Sequence, residues 1–254
     1  RLLEINSKSG LYPLYVAYTI FRNLLKEKHP DKGPNTLSIN QQQALWDKVV
    51  ADNIFVICKT PMAKSITKRT LVGFRVARVN THHFEDLVHQ ITNKSEKFIE
   101  KVKKGKSYWK ANKGNNMKFN AIIGNPPYQE MDGGNSESAK PVYNHFVDIA
   151  KKIKPDYFSM IMPARWYAGG KGLDSFRETM LNDDRTSALF DYPNSNDCFT
   201  NVDIAGGLCY FLWDLNYAGD CTITNNINDE KVIAKRPLNE FEILLRDNKA
   251  IPIV

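Results

Sequence analysis

The chain holds only four cysteines in 254 residues, Cys58, Cys198, Cys209 and Cys221, with no CxxC pair and no histidine cluster near them. That spacing leaves little ground for a metal site or a disulfide framework and predicts reduced thiols in apolar strands. No apolar run approaches a membrane span, and the first residues lack the basic start, apolar stretch and small-residue cleavage site of a secretory signal. The reading is a soluble intracellular chain. There is no GxxxxGK phosphate loop, and the acidic residues of Pro155-Asp156 and Asp229-Glu230-Lys231 are too scattered for a nuclease metal site. Without low-complexity tracts or repeats, the length suits one large core, or one core with a small appendage.

What is present begins with charge. The formal net charge is +7, and nine lysines fall between Lys94 and Lys118 against Glu96 and Glu100, with Tyr108 and Trp109 among them. Two readings stand: a phosphate-contacting surface, or a solvated helix followed by a loop. Lysine attraction carries no sequence information in either case.

Periodicity divides the chain into alternating elements. Leu2 to Ile5 reads as a short strand, Asn6 to Gly10 as a polar turn, and Leu11 to Leu25 as a helix. Turn residues at Pro30 to Asn35 precede a helix over Leu37 to Ala51, a strand over Ile54 to Cys58 and a helix from Pro61. His83 to Lys104 reads as one further helix, and Gly105 to Asn116 as a loop. Phe119 to Gly124 is a buried-type strand that runs into Asn125-Pro126-Pro127-Tyr128. A polar loop over Gln129 to Lys140 leads to a helix over Val142 to Ile153 and a strand over Tyr157 to Met162. A helix over Leu173 to Leu181, a strand over Ala188 to Tyr192 and a β segment over Ile204 to Trp213 follow, with weaker β pieces at Cys221 to Thr224 and Val232 to Ala234. Such alternation predicts an α/β domain with a mostly parallel sheet. The chain opens inside its first strand and stops at Ile251-Pro252-Ile253-Val254, and the expectation is a fragment of a longer protein.

The tetrapeptide Asn125-Pro126-Pro127-Tyr128 carries the chemistry. An exocyclic amine on a nucleobase is a poor nucleophile because its lone pair is delocalised. It reacts only when held, drawn towards tetrahedral geometry and aligned with an electrophile. Asn125 supplies a side-chain carbonyl, Pro126 a backbone carbonyl in a stiff direction, and Tyr128 a flat face worth about 1–3 kcal/mol of base stacking. Their place directly after a buried strand is where open α/β sheets bind ligands.

Phe119 to Gln129, FNAIIGNPPYQ, resembles the catalytic motif of the adenine-directed, amino-methylating DNA methyltransferases of bacterial restriction-modification systems. The likeness runs from Leu2 to about Trp213, through LLEINSKSGLYPLY, FSMIMPARWY and FTNVDIAGGLCYFLWD. It implies a Rossmann-like S-adenosylmethionine-dependent methyltransferase fold, a mostly parallel sheet flanked by helices, with Asn125, Pro126, Pro127 and Tyr128 catalytic. Glu4, Asn6, Ser7 and Gly10 would wrap the methionine part of S-adenosylmethionine. Asn120, where the family often has aspartate, would offer its amide to the cofactor's adenine ring. Phe199 or Tyr167 would form a second wall for the target base, and Arg165 would touch the DNA backbone, with Trp166 either beside it or in the core. The chain departs from the pattern in two places: only Gly10 remains of a denser glycine run, and Cys58-Lys59-Thr60 replaces the carboxylate that usually ends the second strand, Asp52 lying before that strand.

The implied layout is a catalytic core over residues 1–214 with a lysine-rich insert near 83–118, then a 215–254 extension that begins a target-recognition module. The implied partners are double-stranded DNA with a flipped adenine and a restriction endonuclease domain or subunit, in the bacterial cytoplasm. Two other readings remain open from the residues: a protein-glutamine or RNA-base methyltransferase, and a DNA-binding module that has lost catalysis.

Overall fold

A strand apolar on both faces must be covered on both, and Ile54 to Cys58, each no more than 1% exposed, sets the architecture of the first half. The computed structural model describes residues 1–28, 37–104, 108–109, 116–130, 139–227 and 230–253. It separates into two units, Arg1–Gly124 and Asn125–Val254. The turn expected at Pro30 to Asn35 lies outside the described residues, as does much of the loops at 105–116 and 129–140.

In the first unit the elements are β1 (Leu2–Ser7), α1 (Leu11–Lys28), α2 (Ile39–Asn53), β2 (Ile54–Cys58), α3 (Pro61–Val72), β3 (Asn80–His83), α4 (Leu87–Asn93), α5 (Ser95–Lys103) and β4 (Ala121–Gly124). The strands lie in the order β4-β1-β2-β3, all parallel. Leu2, Ile54, Val56, Ala17, Val50 and Leu71 make one layer of the core. Phe55 faces the other way, against Trp109 and Phe119, with ring centroids 5.3 and 5.5 Å away. Ser38 and Gln41 close a capping box on α2, and Thr60 caps α3 ahead of Pro61. The parallel register brings Ile5 beside Gly124, Ser7 beside Cys58 and Cys58 beside His83, so these strand ends share one edge.

Two expectations change here. The single helix over His83 to Lys104 is β3, α4 and α5, broken at Lys94, whose backbone leaves helical geometry at φ −132° and ψ 37°. The polar strand Asn-Thr-His-His has no apolar signature; its ladder to β2 and the Asn80 amide, bonded to Ala51 O at 2.8 Å and Ile54 O at 3.1 Å, hold it. Tyr108 and Trp109 turn inwards rather than towards a phosphate. Trp109 is 2% exposed and donates to Val102 O, while Tyr108 stacks on His82 at 4.0 Å.

In the second unit, β5 (Gln129–Glu130) and β6 (Lys140–Pro141) pair antiparallel. Then come α6 (Tyr143–Ile153), β7 (Tyr157–Pro163), a 3-10 turn at Ala164–Tyr167, α7 (Asp174–Leu181), β8 (Thr186–Tyr192), β9 (Leu208–Asp214), β10 (Cys221–Ile227) and β11 (Glu230–Arg236). Here β9 runs antiparallel between β7 and β8, β10 is parallel to β8, and β11 is antiparallel to β10. The β segment expected from Ile204 starts at Leu208, because Gly206 and Gly207 turn at φ 85° and 72°. A Cβ on Gly207 would lie 2.1 Å from the Tyr192 carbonyl oxygen, so only glycine closes this turn.

The described part of the 215–254 segment packs into this unit. Its strands extend this unit's sheet, and Arg246 reaches back to Asp191, which is 1% exposed, with two bonds of 2.7 Å. Asn225, Tyr167 and Asn226 complete the same buried network. Replacing Arg246 with Ala strands a buried carboxylate, and the expected loss is about 3–5 kcal/mol of stability by denaturant unfolding. If the segment were an appendage, that loss would be near zero.

Candidate functional site

The first unit carries a cradle at the end of β1. Asn6 and Gly10 both adopt positive φ, 74° and 76°, so Asn6 takes a left-handed position that glycine usually fills. Gly10 N donates to Ser7 Oγ at 3.1 Å, and Ser7 Oγ lies 3.3 Å from Thr67 Oγ1. A Cβ on Gly10 would meet Thr67 Cα at 3.0 Å, so α3 packs hard against the turn. Thr70 Oγ1 donates to Ser9 O at 2.6 Å and fixes the turn from the same helix. Sequence reasoning missed Thr67 and Thr70, which only the fold brings beneath the turn.

Glu4 points into this cradle's strand, 3% exposed, with its Oε2 buried and bonded to nothing among the described residues. Burial pushes its carboxyl up to about 7, against a weaker downward pull from Ser7. A buried carboxylate with one oxygen unpartnered among the described residues, beside a left-handed turn, fits a ligand that brings a cationic group. The nucleoside side is different. Cys58 is fully buried with its thiol pushed up to about 11 by desolvation, Thr60 Oγ1 is occupied in capping Ala63 N, and Asp52 pairs with Arg78 at 2.7 Å at the opposite edge. No carboxylate ends β2.

Asn120 does not join this cradle. It precedes β4 and bonds Arg1, level with the beginning of β1, at the opposite edge of the sheet from Asn6 to Gly10. Strand direction decides this: the residue before a parallel strand lies at the edge away from the turns that follow the strands.

In the second unit, Asn125 to Tyr128 follows β4 directly in the chain, and Val142 N donates to Tyr128 O at 3.2 Å. Tyr128 lines a cavity of about 780 Å³ whose walls include Tyr143, Arg165, Lys171, Asp203 and Ile204. Tyr128 and Arg165 are the expected residues that meet here. Arg165 is exposed, its stem fixed by Nε donating to Ala205 O at 3.1 Å.

Tyr167 is not a base-stacking wall. It is 5% exposed, with its hydroxyl donating to Asp191 at 3.1 Å and Arg246 over its ring. Trp166 is fully buried and donates to Cys209 Sγ, which settles it as core. Phe199 is half-buried in the turn ahead of Asp203 and Ile204, its N–H bonded to Ser195 O at 2.8 Å. The sequence reading passed over Tyr143 and Lys171, although the Gly169-Gly170-Lys171-Gly172 run was visible as a signal. All four cysteines are free. Among the described residues no three His, Cys, Asp or Glu are grouped to hold a metal, and no helix is long and apolar enough to cross a membrane.

Residues 52–199, more than half of the chain, match the Eco57I restriction-modification methylase family. The chain belongs to that family. An uncharacterized adenine-specific methylase of Mycoplasma pneumoniae is 32% identical over 154 residues, covering 54% of this chain and 36% of the relative, so the chain spans about a third of that protein's length. The type IIL restriction-modification enzyme MmeI, solved in complex with DNA, superposes with a TM-score of 0.56 at 11% identity, covering 92% of this chain and 34% of that one. A modification subunit of a putative type I restriction enzyme from Vibrio vulnificus gives 0.52 at 11% identity, over 88% and 42%. At such identities the shared property is the fold, the Rossmann-like α/β fold of the restriction-modification methyltransferases, as expected.

Glu4 makes a pH prediction for the ligand-free protein. Its folded pKa is raised, so its contribution to stability is fully present below about 4.5 and is lost as the pH rises to about 7. The loss is on the order of 3 kcal/mol. Denaturant unfolding at pH 5 and pH 8 should show this slope in the wild type and a flatter one in Glu4→Gln; equal slopes would remove Glu4 from the cradle.

Proposed function

We propose that this chain transfers the methyl group of S-adenosylmethionine to the exocyclic amine of adenine in DNA, as the modification part of a restriction-modification system. The observation that carries the reading is Asn125-Pro126-Pro127-Tyr128 at a strand's end, with Tyr128 on the wall of a cavity large enough for a base. Family membership supports the same reaction class.

In this reading the cofactor supplies an electrophilic methyl group. Glu4 would face its cationic methionine part, and the backbone of Asn6 to Gly10, with Ser7, would wrap it. Asn125 Oδ1 and the Pro126 carbonyl accept the two N–H bonds of the target amine, which localises the nitrogen lone pair towards the methyl donor. Tyr128 stacks on the extruded adenine, and Phe199 is the candidate for the second face. Stacking and the positive charge of Arg165 offset the unstacking cost, about a few kcal/mol. DNA, and a restriction endonuclease module on the same chain or a partner, are the proposed associates, in the bacterial cytoplasm where genome and cofactor meet.

A second reading has one observation in its favour. Without a carboxylate at the end of β2, the ribose hydroxyls lose an ionic acceptor, which suits a DNA-binding module that no longer methylates. Tritium transfer from S-adenosylmethionine to DNA separates the two. Transfer is expected in the wild type and a loss of at least about a hundredfold in Asn125→Ala, with cofactor binding retained. Cofactor-independent DNA binding without transfer would favour the second reading, and transfer to RNA or protein alone would redirect the substrate.

A further inference from the structure

The cavity holding Tyr128 has a second feature that the methyl-transfer chemistry does not use. Gly169, Gly170, Lys171 and Gly172 run consecutively at φ 76°, 82°, 50° and 81°, between the 3-10 turn and α7. For the glycines this is free of steric cost; for Lys171 it is strained backbone, which persists only where surrounding contacts impose it.

Those contacts are present. Arg177 Nη1 donates to Ala168 O at 2.7 Å and pairs with Asp174 at 3.2 Å, while Gly170 N donates to the same Asp174 Oδ1 at 3.1 Å. A Cβ on Gly169 would lie 2.1 Å from Arg177 Nη1 and 2.5 Å from Asp174 Oδ1, so both side chains lie close against the loop. Leu173, 2% exposed, anchors its far end and donates its N–H to Gly170 O. Above these contacts Lys171 and Gly172 are exposed, and Lys171 shares the cavity wall with Arg165, with Asp203 the carboxylate among the lining residues. The loop holds one lysine in a conformation that costs energy, on the wall of a cavity that Arg165 also lines and that is large enough for a base.

We propose that this loop and Arg165 form a clamp for the phosphodiester next to the extruded adenine, with Lys171 as its principal cation. The inference rests on the DNA-adenine reading of the cavity. A planar base entering past Tyr128 drags its own sugar and phosphates to the rim, and an ammonium and a guanidinium there neutralise a phosphate while the cavity takes the base. Glycine on both sides of Lys171 leaves the backbone open to close approach.

The test uses the full chain and fluorescence anisotropy with a mixed-sequence duplex carrying an adenine opposite an abasic site, across a potassium chloride series. Lys171→Gly keeps the left-handed backbone without strain and removes the ammonium. It should bind about three- to tenfold more weakly at low salt, with a salt slope shallower by about one, and melt no lower than the wild type. Lys171→Arg should retain affinity. A neutral methylphosphonate in place of the phosphate next to the adenine should erase the difference between wild type and Lys171→Gly. If the wild type binds but Lys171→Gly matches it in affinity and slope, the clamp is overturned and the methylation reading stands. A loss of affinity unaffected by the methylphosphonate would place Lys171 on another phosphate and overturn the assignment. If the wild type neither binds this duplex nor transfers methyl to DNA, the underlying reading fails and the clamp with it.

Discussion

Glu4 sits in a fully buried parallel strand, and its carboxylate has one oxygen with no partner among the described residues. Removing a carboxylate from water without a compensating charge costs about several kcal/mol, which the protein limits by letting the group hold its proton up to a pH of about 7. The turn that follows this strand is held by packing against α3. The turn after β1 needs left-handed residues at Asn6 and Gly10, α3 must pack against a glycine without a side chain, and Thr67 and Thr70 must satisfy the turn's polar atoms.

The second unit solves a different problem. It places Tyr128 and Tyr143 on the wall of a wide cavity and keeps Trp166 and Tyr167 in its core. Tyr167 and Trp166 follow a strand just as a base wall would, yet the Asp191–Arg246 pair and the Cys209 contact draw them inwards. The same pair binds residues near the end of the chain to the heart of the unit. Cavity wall and structural core are thus separated within a few residues: Arg165 outside, Trp166 and Tyr167 inside.

Much of this was legible in the sequence where chemistry and local order coincide. Asn125 to Tyr128 stood out because the chemistry proposed for it uses consecutive residues after a strand, and Glu4 to Gly10 because a strand, a polar turn and a helix adjoin. Asn120 misled because its side-chain type was read without the direction of its strand. Tyr167 misled because its fate depends on Asp191 and Arg246, far along the chain. β3 was invisible because its residues are polar and owe their strand to the ladder with β2. The glycine loop at 169–172 was visible as composition, but its strained lysine and the Arg177–Asp174 support beneath it emerge only from the fold.

The central question is whether the cradle around Glu4 receives S-adenosylmethionine. Calorimetric titration of the cofactor into the protein at pH 7, in two buffers of different ionisation enthalpy, tests this directly. A cationic ligand beside a carboxyl that titrates near 7 should bind with release of about half a proton, and Glu4→Gln should weaken binding and reduce that release. Absence of binding, or binding with the same proton balance in wild type and Glu4→Gln, would contradict the account.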